Sequence, residues 1–401
     1  MATHPTKINL SNRVQLVKPS ATLAITAKAK ALRAEGKDII GLGAGEPDFD
    51  TPDHIKNAAI QAINDGFTKY TAVGGTPELK QVVCDKFKHD NSLDYSPEQV
   101  LVSSGGKQSF YNLCQALLND GDEVIIPAPY WVSYPDMVIL GGATPVIIST
   151  GIDEGFKISP EQLKAAITDK TRLMVLNTPS NPTGVTYTRA DLAAIGEVLK
   201  EHPDIIIASD DMYEHIVWSD EPFCTIAEVC PYLYDQTVTM NGVSKAYSMT
   251  GWRIGYAAGP KDLIAAMTKI QSQSTSNPCS ISQVAAQEAL SGDQSCIDTM
   301  LKAFKERHDF VVDAVNAIAG MQALPSQGAF YTFANMQTLI DQTEGVSDDV
   351  ELADYILSHA EVALVPGSAF GAPGYMRFSF ATSMDNLQEA ISRLQKLFST
   401  T

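Results

Sequence analysis

From residue 100 onward, short apolar runs alternate with helical windows, and this alternation constrains the fold more than any other feature of the chain. Parallel strands need crossover connections, usually helices, and they are buried on both faces. The pattern therefore predicts an α/β fold with a mostly parallel seven-stranded sheet sandwiched by helices. The predicted strands span residues 100–102, 124–126, 146–148, 173–176, 205–208, 238–240 and 254–258. Helices are predicted between many of them, at 108–118, 160–167 and 190–200.

The N-terminal part of the chain carries a different pattern. An amphipathic segment over 20–35 stops at Gly36, a common residue after a helix end, so it predicts a helix. A short strand is expected over 39–42. Thr51 and Pro52 have the form of an N-cap followed by proline at the first helical position, which predicts the start of another helix.

The C-terminal part has the pattern of a small α+β unit. Strands are predicted there over 331–333, 362–365 and 376–380, and a helix over 386–397. The length of the chain is enough for two domains. We therefore expect a large domain over 49–300 and a small domain built from both ends of the chain, 1–48 and 301–401.

The charge of the chain disfavours several classes of partner. Its 401 residues include 29 Lys and Arg against 47 Asp and Glu, a net charge of −18, which repels nucleic-acid backbones and anionic membranes. No apolar run reaches the length of a membrane span, and residues 1–10 lack the apolar region of a secretory signal. Six cysteines without CxxC pairs or zinc spacing predict reduced thiols in a cytoplasmic protein without a metal site.

Two glycine-rich segments resemble nucleotide-binding motifs without matching them. Residues 41–46 have the spacing GxGxG with Glu46 at the sixth place, so they do not form a dinucleotide fingerprint. Residues 104–107 resemble the end of a phosphate loop, but Gln108 stands where that motif has Ser or Thr. Neither segment predicts a nucleotide site.

The segment that carries most chemical information is 242–255, between two predicted strands. Lys245 stands there among small, mostly uncharged residues, where loss of contact with water would lower the pKa of its amine and make it nucleophilic. Ser244 and Arg253 flank it with a hydroxyl and a bidentate donor, which suit a phosphate group. A lysine after a strand is, taken alone, usually a surface residue, so this interpretation depends on further motifs.

The segment is similar to the lysine-attachment motif of class I aminotransferases, which use pyridoxal 5′-phosphate (PLP). Further motifs of that family follow in its order, namely Ser-Asn-Pro-Thr-Gly at 180–184, Asp-Asp-Met-Tyr at 210–213 and Met-Arg-Phe-Ser at 376–379. The resemblance extends from residues 41–48 to Arg377 and is greatest to the bacterial-type aspartate aminotransferases. It implies the PLP-dependent transferase fold type I and ping-pong transamination between amino acids and 2-oxo acids.

The resemblance also implies how the cofactor is held. Lys245 would be the catalytic residue, which attaches the cofactor and then moves the Cα proton of the substrate. Asp210 would pair with the pyridine nitrogen, and it is preferred over Asp211 because it stands three residues before Tyr213, as in the family. Segment 104–108 ends a strand and opens a helix, where backbone N–H groups can approach an anion. The other implied cofactor ligands are Tyr213 and Asn181 at the phenolic oxygen, Ser244, Arg253 and the backbone of Gly106 and Lys107 at the phosphate, Trp131 on the ring, and Tyr70 from a second subunit.

The same resemblance implies an acidic substrate. Arg377 would hold the substrate α-carboxylate through a bidentate pair, with Asn181, Trp131 and the backbone of Gly43 beside it. In the bacterial-type branch the lysine of Gly-Gly-Lys-Gln recognises the side-chain carboxylate, and Lys107 stands there, with Thr22 matching a residue of the same pocket. The sequence alone leaves Trp131 open between a stacked ring and an ordinary core tryptophan.

We therefore expect a homodimeric aspartate aminotransferase that converts L-aspartate and 2-oxoglutarate to oxaloacetate and L-glutamate. A prephenate aminotransferase, or an enzyme with both activities, is the first alternative, because Lys107 and Thr22 also occur in that group. A β-lyase, or an aminotransferase for neutral or aromatic residues, is disfavoured by Lys107. A non-catalytic PLP-binding sensor fused to a DNA-binding module is disfavoured by the charge and by the short segment before Gly41.

Overall fold

A computed structural model describes residues 8–19 and 21–399 of the chain, apart from the side chains of residues 21–23. The N-terminal part contains α1 (Asn12–Leu16), α2 (Ala21–Ala34) and β1 (Ile40–Gly41). The central part contains α3 (Asp53–Asn64), α4 (Pro77–Asn91), β2 (Val100–Ser103), α5 (Gly106–Leu117), β3 (Glu123–Ala128), α6 (Tyr134–Leu140), β4 (Thr144–Ser149), α7 (Pro160–Ala166), β5 (Thr171–Asn177), α8 (Arg189–Leu199), β6 (Ile206–Asp210), α9 (Ile226–Val229), β7 (Thr237–Gly242), β8 (Gly255–Ala258), α10 (Lys261–Ser274) and α11 (Ser280–Ser291). The C-terminal part contains α12 (Ser295–Asn316), β9 (Gln322–Ala323), β10 (Tyr331–Asn335), α13 (Gln337–Gln342), α14 (Asp349–His359), β11 (Val362–Ala363), β12 (Val365–Pro366), β13 (Tyr375–Ser379) and α15 (Met384–Phe398).

The central part is built on a seven-stranded sheet of order β2-β8-β7-β6-β5-β3-β4. Strand β8 is antiparallel to both of its neighbours, and the other pairs are parallel. Each strand coincides with one of the predicted apolar runs, so the predicted α/β fold with a mostly parallel sheet is confirmed.

The strands of the large sheet are mostly apolar at their centres because helices cover both faces of the sheet. In β3, Val124 and Ile126 belong to one hydrophobic cluster, while Ile125 between them belongs to another, and all three side chains are fully buried. Successive side chains of a strand point to opposite faces, so this alternation places a separate core on each side of the sheet.

Helix starts follow the local sequence with one informative exception. Thr76 caps α4 through its side chain, ahead of proline at the first helical position. The prediction that Thr51 caps α3, with Pro52 at the first helical position, is wrong. Pro52 is itself the N-cap of α3 and makes no side-chain hydrogen bond there. The Thr51 hydroxyl instead donates to the Ser248 carbonyl over 2.7 Å and accepts from Trp252 Nε1 over 2.9 Å. Thr51 thus holds the loop that follows β7.

A smaller antiparallel sheet of order β12-β13-β10-β9 lies in the C-terminal part, and β1 pairs with β11 in parallel. The strand predicted over 362–365 is divided at Leu364, because residues 362–363 pair with β1 and residues 365–366 pair with β13. The predicted N-terminal helix is present as α2, and Ser20, its predicted first residue, lies outside the described residues. The domain boundaries at 48 and 300 stay a prediction.

The parallel strands bring their carboxyl ends to one edge of the large sheet. Asn177 ends β5, Asp210 ends β6, and the loop after β7 begins at Val243. Ligands of open α/β sheets bind in the crevice beyond this edge. In the part of the chain that is described, none of the helices combines the length and the apolar character needed to cross a bilayer.

Candidate active site

A cavity of about 400 Å³ opens at the carboxyl edge of the large sheet, facing the smaller sheet. Most of the residues singled out from the sequence line it. They are Gly106, Lys107, Trp131, Asn181, Asp210, Tyr213, Ser244, Lys245, Arg253 and Arg377. Residues from distant parts of the chain are therefore brought into one site, because Gly106 opens α5 while Arg377 lies on β13 of the smaller sheet.

Lys245 projects into this cavity from the loop after β7. Its amine donates a hydrogen bond to the Gly45 carbonyl over 2.5 Å. Burial lowers the pKa of this amine to about 8, with the Arg253 and Arg377 cations acting in the same direction and the Glu46 carboxylate opposing them. A lowered pKa leaves more of the amine in its neutral, nucleophilic form near neutral pH.

The Asp210 carboxylate ends β6 and is held by two donors. The Tyr134 hydroxyl donates to Oδ2 over 2.5 Å, and the Met212 backbone N–H donates to Oδ1 over 3.3 Å. Burial raises the pKa of Asp210, while both hydrogen bonds act to lower it. Asp211 points elsewhere, since it accepts from Ser209 over 2.7 Å within the core and does not line the cavity.

Arg377 is buried on β13, on the side of the cavity formed by the smaller sheet. Its Nη1 donates to Asn181 Oδ1 over 2.9 Å, and its Nη2 donates to the Gly43 carbonyl over 2.7 Å. The guanidinium carbon lies 4.5 Å from the ring centre of Tyr331 and 4.9 Å from that of Phe370. Its Nε has no partner among the described residues, so a buried donor is left for a ligand.

Ser244, Arg253 and the start of α5 form a cradle for an anion. Gly105 precedes α5 with a φ of 93°, and a Cβ there would lie 2.3 Å from Arg253 Nη2, so only glycine fits. The first N–H groups of α5 and the guanidinium face the same space. Exposed N–H groups of a helix start beside a guanidinium and a hydroxyl suit a phosphate group.

Lys107 and Trp131 lie together on the remaining wall. The Lys107 amine lies 5.1 Å from the centre of the Trp131 ring. Burial, together with the Arg253 cation, lowers the pKa of Lys107. The Trp131 ring contacts the ring of Tyr134 edge to face, with centroids 5.2 Å apart. The cavity therefore contains a further basic side chain besides Lys245, Arg253 and Arg377, next to an aromatic ring.

Asp90, Glu214 and His215 come together outside this cavity, with the ligand atoms that could hold a metal within 4.8 Å of one another. The Lys86 ammonium pairs with Glu214, donates to Asn91 Oδ1 over 2.8 Å and lies 3.6 Å from Asp90. This buried ammonium already supplies a cation to the group. The result is an ion-pair network that ties α4 to the turn after Asp210.

The family model of class I and class II aminotransferases matches residues 37–394 of the chain. The chain belongs to this family. Its members are PLP-dependent transferases, so the predicted family, fold type and cofactor are confirmed.

Several proteins resemble this aminotransferase over its whole length. An aspartate/prephenate aminotransferase of Nitrosomonas europaea is 61% identical, covering 98% of this chain and 100% of that protein. An aspartate aminotransferase of Geobacillus stearothermophilus is 51% identical, covering 97% and 98%. The crystal structure of the Rhizobium meliloti aspartate aminotransferase superimposes with a TM-score of 0.94 at 46% identity, covering 98% and 99%. The Thermus thermophilus aspartate aminotransferase, solved with maleate, gives a TM-score of 0.91 at 43% identity, covering 98% and 100%.

The cavity of the aminotransferase fits PLP group by group. The cradle at Arg253 suits the phosphate, and the Lys245 amine suits the aldehyde carbon. The buried Asp210 carboxylate suits a protonated pyridine nitrogen, and the Tyr213 hydroxyl suits the phenolic oxygen. The residues that line the cavity therefore fit the polar groups of the cofactor.

Three predicted residues lie outside the cavity lining. Tyr70 is 92% exposed in the single chain. Gly43 contributes through its backbone carbonyl, which accepts from Arg377. Thr22 lies in α2, and its side chain is outside the described part of the chain.

Sequence reasoning missed seven of the described residues that line the cavity, namely Gly45, Val132, Ser133, Tyr134, Asn177, Met212 and Tyr331. Tyr134 is the first residue of α6 and stands three positions after Trp131, so its closeness in sequence to a predicted residue was an available signal. Tyr331 lies opposite Ser379 on β10, two positions from the partner of Arg377, so it shares a face with Arg377. This proximity becomes visible only once the strand register is known.

Proposed function

We propose that this aminotransferase transfers the amino group of L-aspartate to 2-oxoglutarate, giving oxaloacetate and L-glutamate. The observation that carries the proposal is the presence of two cations, Arg377 and Lys107, in one cavity that also holds Lys245. A substrate with two carboxylates satisfies both cations, whereas a neutral amino acid leaves Lys107 without a partner. The relatives named aspartate aminotransferases, one of them solved with the dicarboxylate maleate, support the same substrate class.

The two carboxylates would be bound at opposite walls. Arg377 would hold the α-carboxylate, with Asn181 and Gly43 fixing the guanidinium through the hydrogen bonds described above. Lys107 would hold the side-chain carboxylate, with Thr22 as a further contact. Bound in this way, the substrate would have its Cα–H bond near Lys245, which is the geometry needed for proton transfer.

Bound PLP supplies an electron sink for the charge left on Cα when its proton is removed. Lys245 would remove that proton and deliver it to the C4′ atom of the cofactor. A neutral amine with a lowered pKa can act as a base near neutral pH. Asp210 would keep the pyridine nitrogen protonated, and Tyr213 and Asn181 would donate to the phenolic oxygen. Ser244, Arg253 and the backbone of Gly106 and Lys107 would bind the phosphate, and Trp131 would cover the ring.

The active unit is proposed to be a homodimer with shared sites. Tyr70 is exposed, and Ile60, Ile63 and Phe67 just before it are large apolar side chains that are 39–54% exposed. A surface of this kind is typical of a face that another chain covers. Tyr70 would then complete the phosphate cradle of the partner subunit. All six cysteines are free, which suits the cytoplasmic location that we also propose.

Prephenate is a second candidate substrate, favoured by the relatives that are named aspartate/prephenate aminotransferases. Prephenate is also a dicarboxylate, so Arg377 and Lys107 suit it as well. L-Aspartate would be the principal amino donor, and prephenate would be an additional amino acceptor.

The test is a half-reaction on purified protein loaded with PLP. L-Aspartate is added without any oxo acid, and the absorption of the cofactor is followed. We expect conversion to the aminated form of the cofactor, reversal by 2-oxoglutarate, and little conversion with L-alanine or L-phenylalanine at equal concentration. Faster conversion by a neutral amino acid than by L-aspartate would overturn the assignment of Lys107. Adding prephenate in place of 2-oxoglutarate then measures the second activity, because prephenate that accepts the amino group returns the cofactor to its original absorption.

A further inference from the structure

Tyr331 contacts groups that serve different parts of the proposed reaction. Its side chain is fully buried at the wall of the cavity. Its hydroxyl lies 2.9 Å from the hydroxyl of Tyr213, and its ring lies 4.5 Å from the Arg377 guanidinium. Tyr213 is proposed to serve the cofactor and Arg377 the substrate, so one side chain touches both functions.

The hydroxyl of Tyr331 is placed to act through Tyr213. Among the described residues, each of these hydroxyls has the other as its hydrogen-bond partner. If the Tyr213 hydroxyl donates a hydrogen bond to the phenolic oxygen of the cofactor, its own oxygen is free to accept a hydrogen bond from the Tyr331 hydroxyl. Donors arranged in a chain polarise one another, so the second hydroxyl strengthens the first as a donor.

The ring of Tyr331 acts on a different residue. Strand register places Tyr331 diagonally across from Arg377, and the ring centre of Phe370 lies 4.9 Å from the guanidinium carbon. Two aromatic rings thus contact the guanidinium, while Asn181 and Gly43 accept from its Nη1 and Nη2. A guanidinium held in this way loses little freedom when a carboxylate binds.

We propose that Tyr331 is a positioning residue with two separable parts, a hydroxyl that strengthens Tyr213 as a donor to the cofactor and a ring that orients Arg377 for the substrate carboxylate. The proposal rests on the proposed function, because it assigns Tyr213 and Arg377 the roles given there.

The test compares Tyr331→Phe, which keeps the ring, with Tyr331→Leu, which loses both parts. Tyr95→Phe is the matched control, since Tyr95 is a buried tyrosine whose hydroxyl bonds to Thr239 Oγ1 over 3.2 Å away from the cavity. Two quantities are measured on PLP-loaded protein. One is the pH midpoint of the change in cofactor absorption, and the other is the Kd of maleate, an unreactive dicarboxylate.

In Tyr331→Phe, we expect the midpoint to move upward by about half a pH unit, because the anionic phenolic oxygen loses stabilisation. The Kd of maleate should stay within about twofold of the wild-type value, since the ring over Arg377 is kept. In Tyr331→Leu, the same upward shift should be joined by an increase of about tenfold in the Kd of maleate. Tyr95→Phe should leave both quantities unchanged.

A wild-type midpoint in Tyr331→Phe, or wild-type maleate affinity in Tyr331→Leu, overturns the proposal. Tyr331→Met replaces the leucine variant if that variant does not fold. Failure of the proposed function looks different, because the wild-type protein would then bind PLP without responding to L-aspartate, whatever the Tyr331 variants do.

Discussion

The Tyr134 hydroxyl donates to the Asp210 carboxylate over 2.5 Å at the floor of the active-site cavity. Asp210 is surrounded by protein, and burial acts to raise its pKa, whereas this hydrogen bond acts to lower it. Tyr134 therefore favours the ionised carboxylate that a protonated pyridine nitrogen needs. The packing of the Tyr134 ring against Phe110 and Trp131 fixes the direction of the hydroxyl.

Tyr134→Phe should weaken PLP binding about tenfold and slow the half-reaction with L-aspartate by a similar factor, because a hydrogen bond to a charged group is lost. The affinity is measured by titrating apoprotein with PLP. Tyr187→Phe is the control, since it removes a buried hydroxyl that accepts from the Ile158 N–H over 3.1 Å. Equal losses in both variants would show a general packing effect instead.

Reconstitution of apoprotein with PLP should become faster as the pH rises through about 8. The pKa of the Lys245 amine is lowered to about 8, so its neutral fraction grows through that pH and then levels off. The initial rate is measured by absorption between about pH 6.5 and 10, with a free lysine derivative as the reference amine. A rate that parallels the reference up to pH 10 would contradict a lowered pKa at Lys245.

Lys107→Gln should raise the KM for L-aspartate by about one to two orders of magnitude, because a desolvated charge-assisted contact to the side-chain carboxylate is removed. The KM for L-alanine should change by less than about threefold, since that substrate makes no such contact. Lys88→Gln is the control, as Lys88 is an exposed lysine that pairs with Asp94 on the surface. Equal changes for both substrates would remove Lys107 from side-chain recognition.

Mixing two inactive variants should restore activity if Tyr70 serves the neighbouring subunit. A hybrid of Lys245→Ala and Tyr70→Ala chains has one site with both defects and one site with neither. Random pairing of equal amounts should recover about a quarter of the wild-type activity, once the chains are unfolded and refolded together. Absence of recovery, with hybrid dimers present on native gels, would place Tyr70 in its own subunit's site or outside any site.

His308 should make the free energy of unfolding depend on pH at values below the ordinary pKa of histidine, about 6.5. Its Nε2 accepts from the Ser326 N–H over 3.0 Å, which requires a neutral ring, and burial lowers the pKa of this imidazole. The unfolded chain then binds the proton first, so stability falls as the pH drops below about 6.5, by up to about 1.4 kcal/mol per pH unit. Urea unfolding between pH 5 and 7.5 should show a shallower decrease for His308→Gln, whose amide oxygen can accept from Ser326. Identical slopes would exclude His308 as the source.

Much of the large sheet could be predicted because its strands are buried on both faces. Val124, Ile125 and Ile126 are apolar for that reason, and such runs are visible without knowledge of their neighbours. The order of the strands in the sheet could not be predicted, because it depends on the side of the sheet to which each connecting segment adds the next strand. Thr51 has the sequence of a helix cap, yet its hydroxyl binds Ser248 and Trp252, which are distant in the chain.

The candidate site was predicted where local motifs carry the chemistry, as for Lys245 and Asp210. Tyr134 and Tyr331 were not, since a tyrosine is as typical of a core as of a site. Their functional contacts depend on the packing of α6 against β6 and on the register of β10 with β13. The proposed roles of the predicted site residues stay predictions until the variants above are measured.

The hydrogen bond between Arg377 and the Gly43 carbonyl joins residues 334 positions apart. Proteins made on ribosomes are synthesised from the N-terminal end, at roughly 5–20 residues per second. A nascent chain that has emerged as far as Arg253 contains the residues of the cradle, Asp210 and Lys245, but it lacks Arg377 and strand β8, which lies between β2 and β7 in the sheet. The residues proposed to bind the cofactor are therefore all synthesised before the arginine proposed to bind the substrate α-carboxylate.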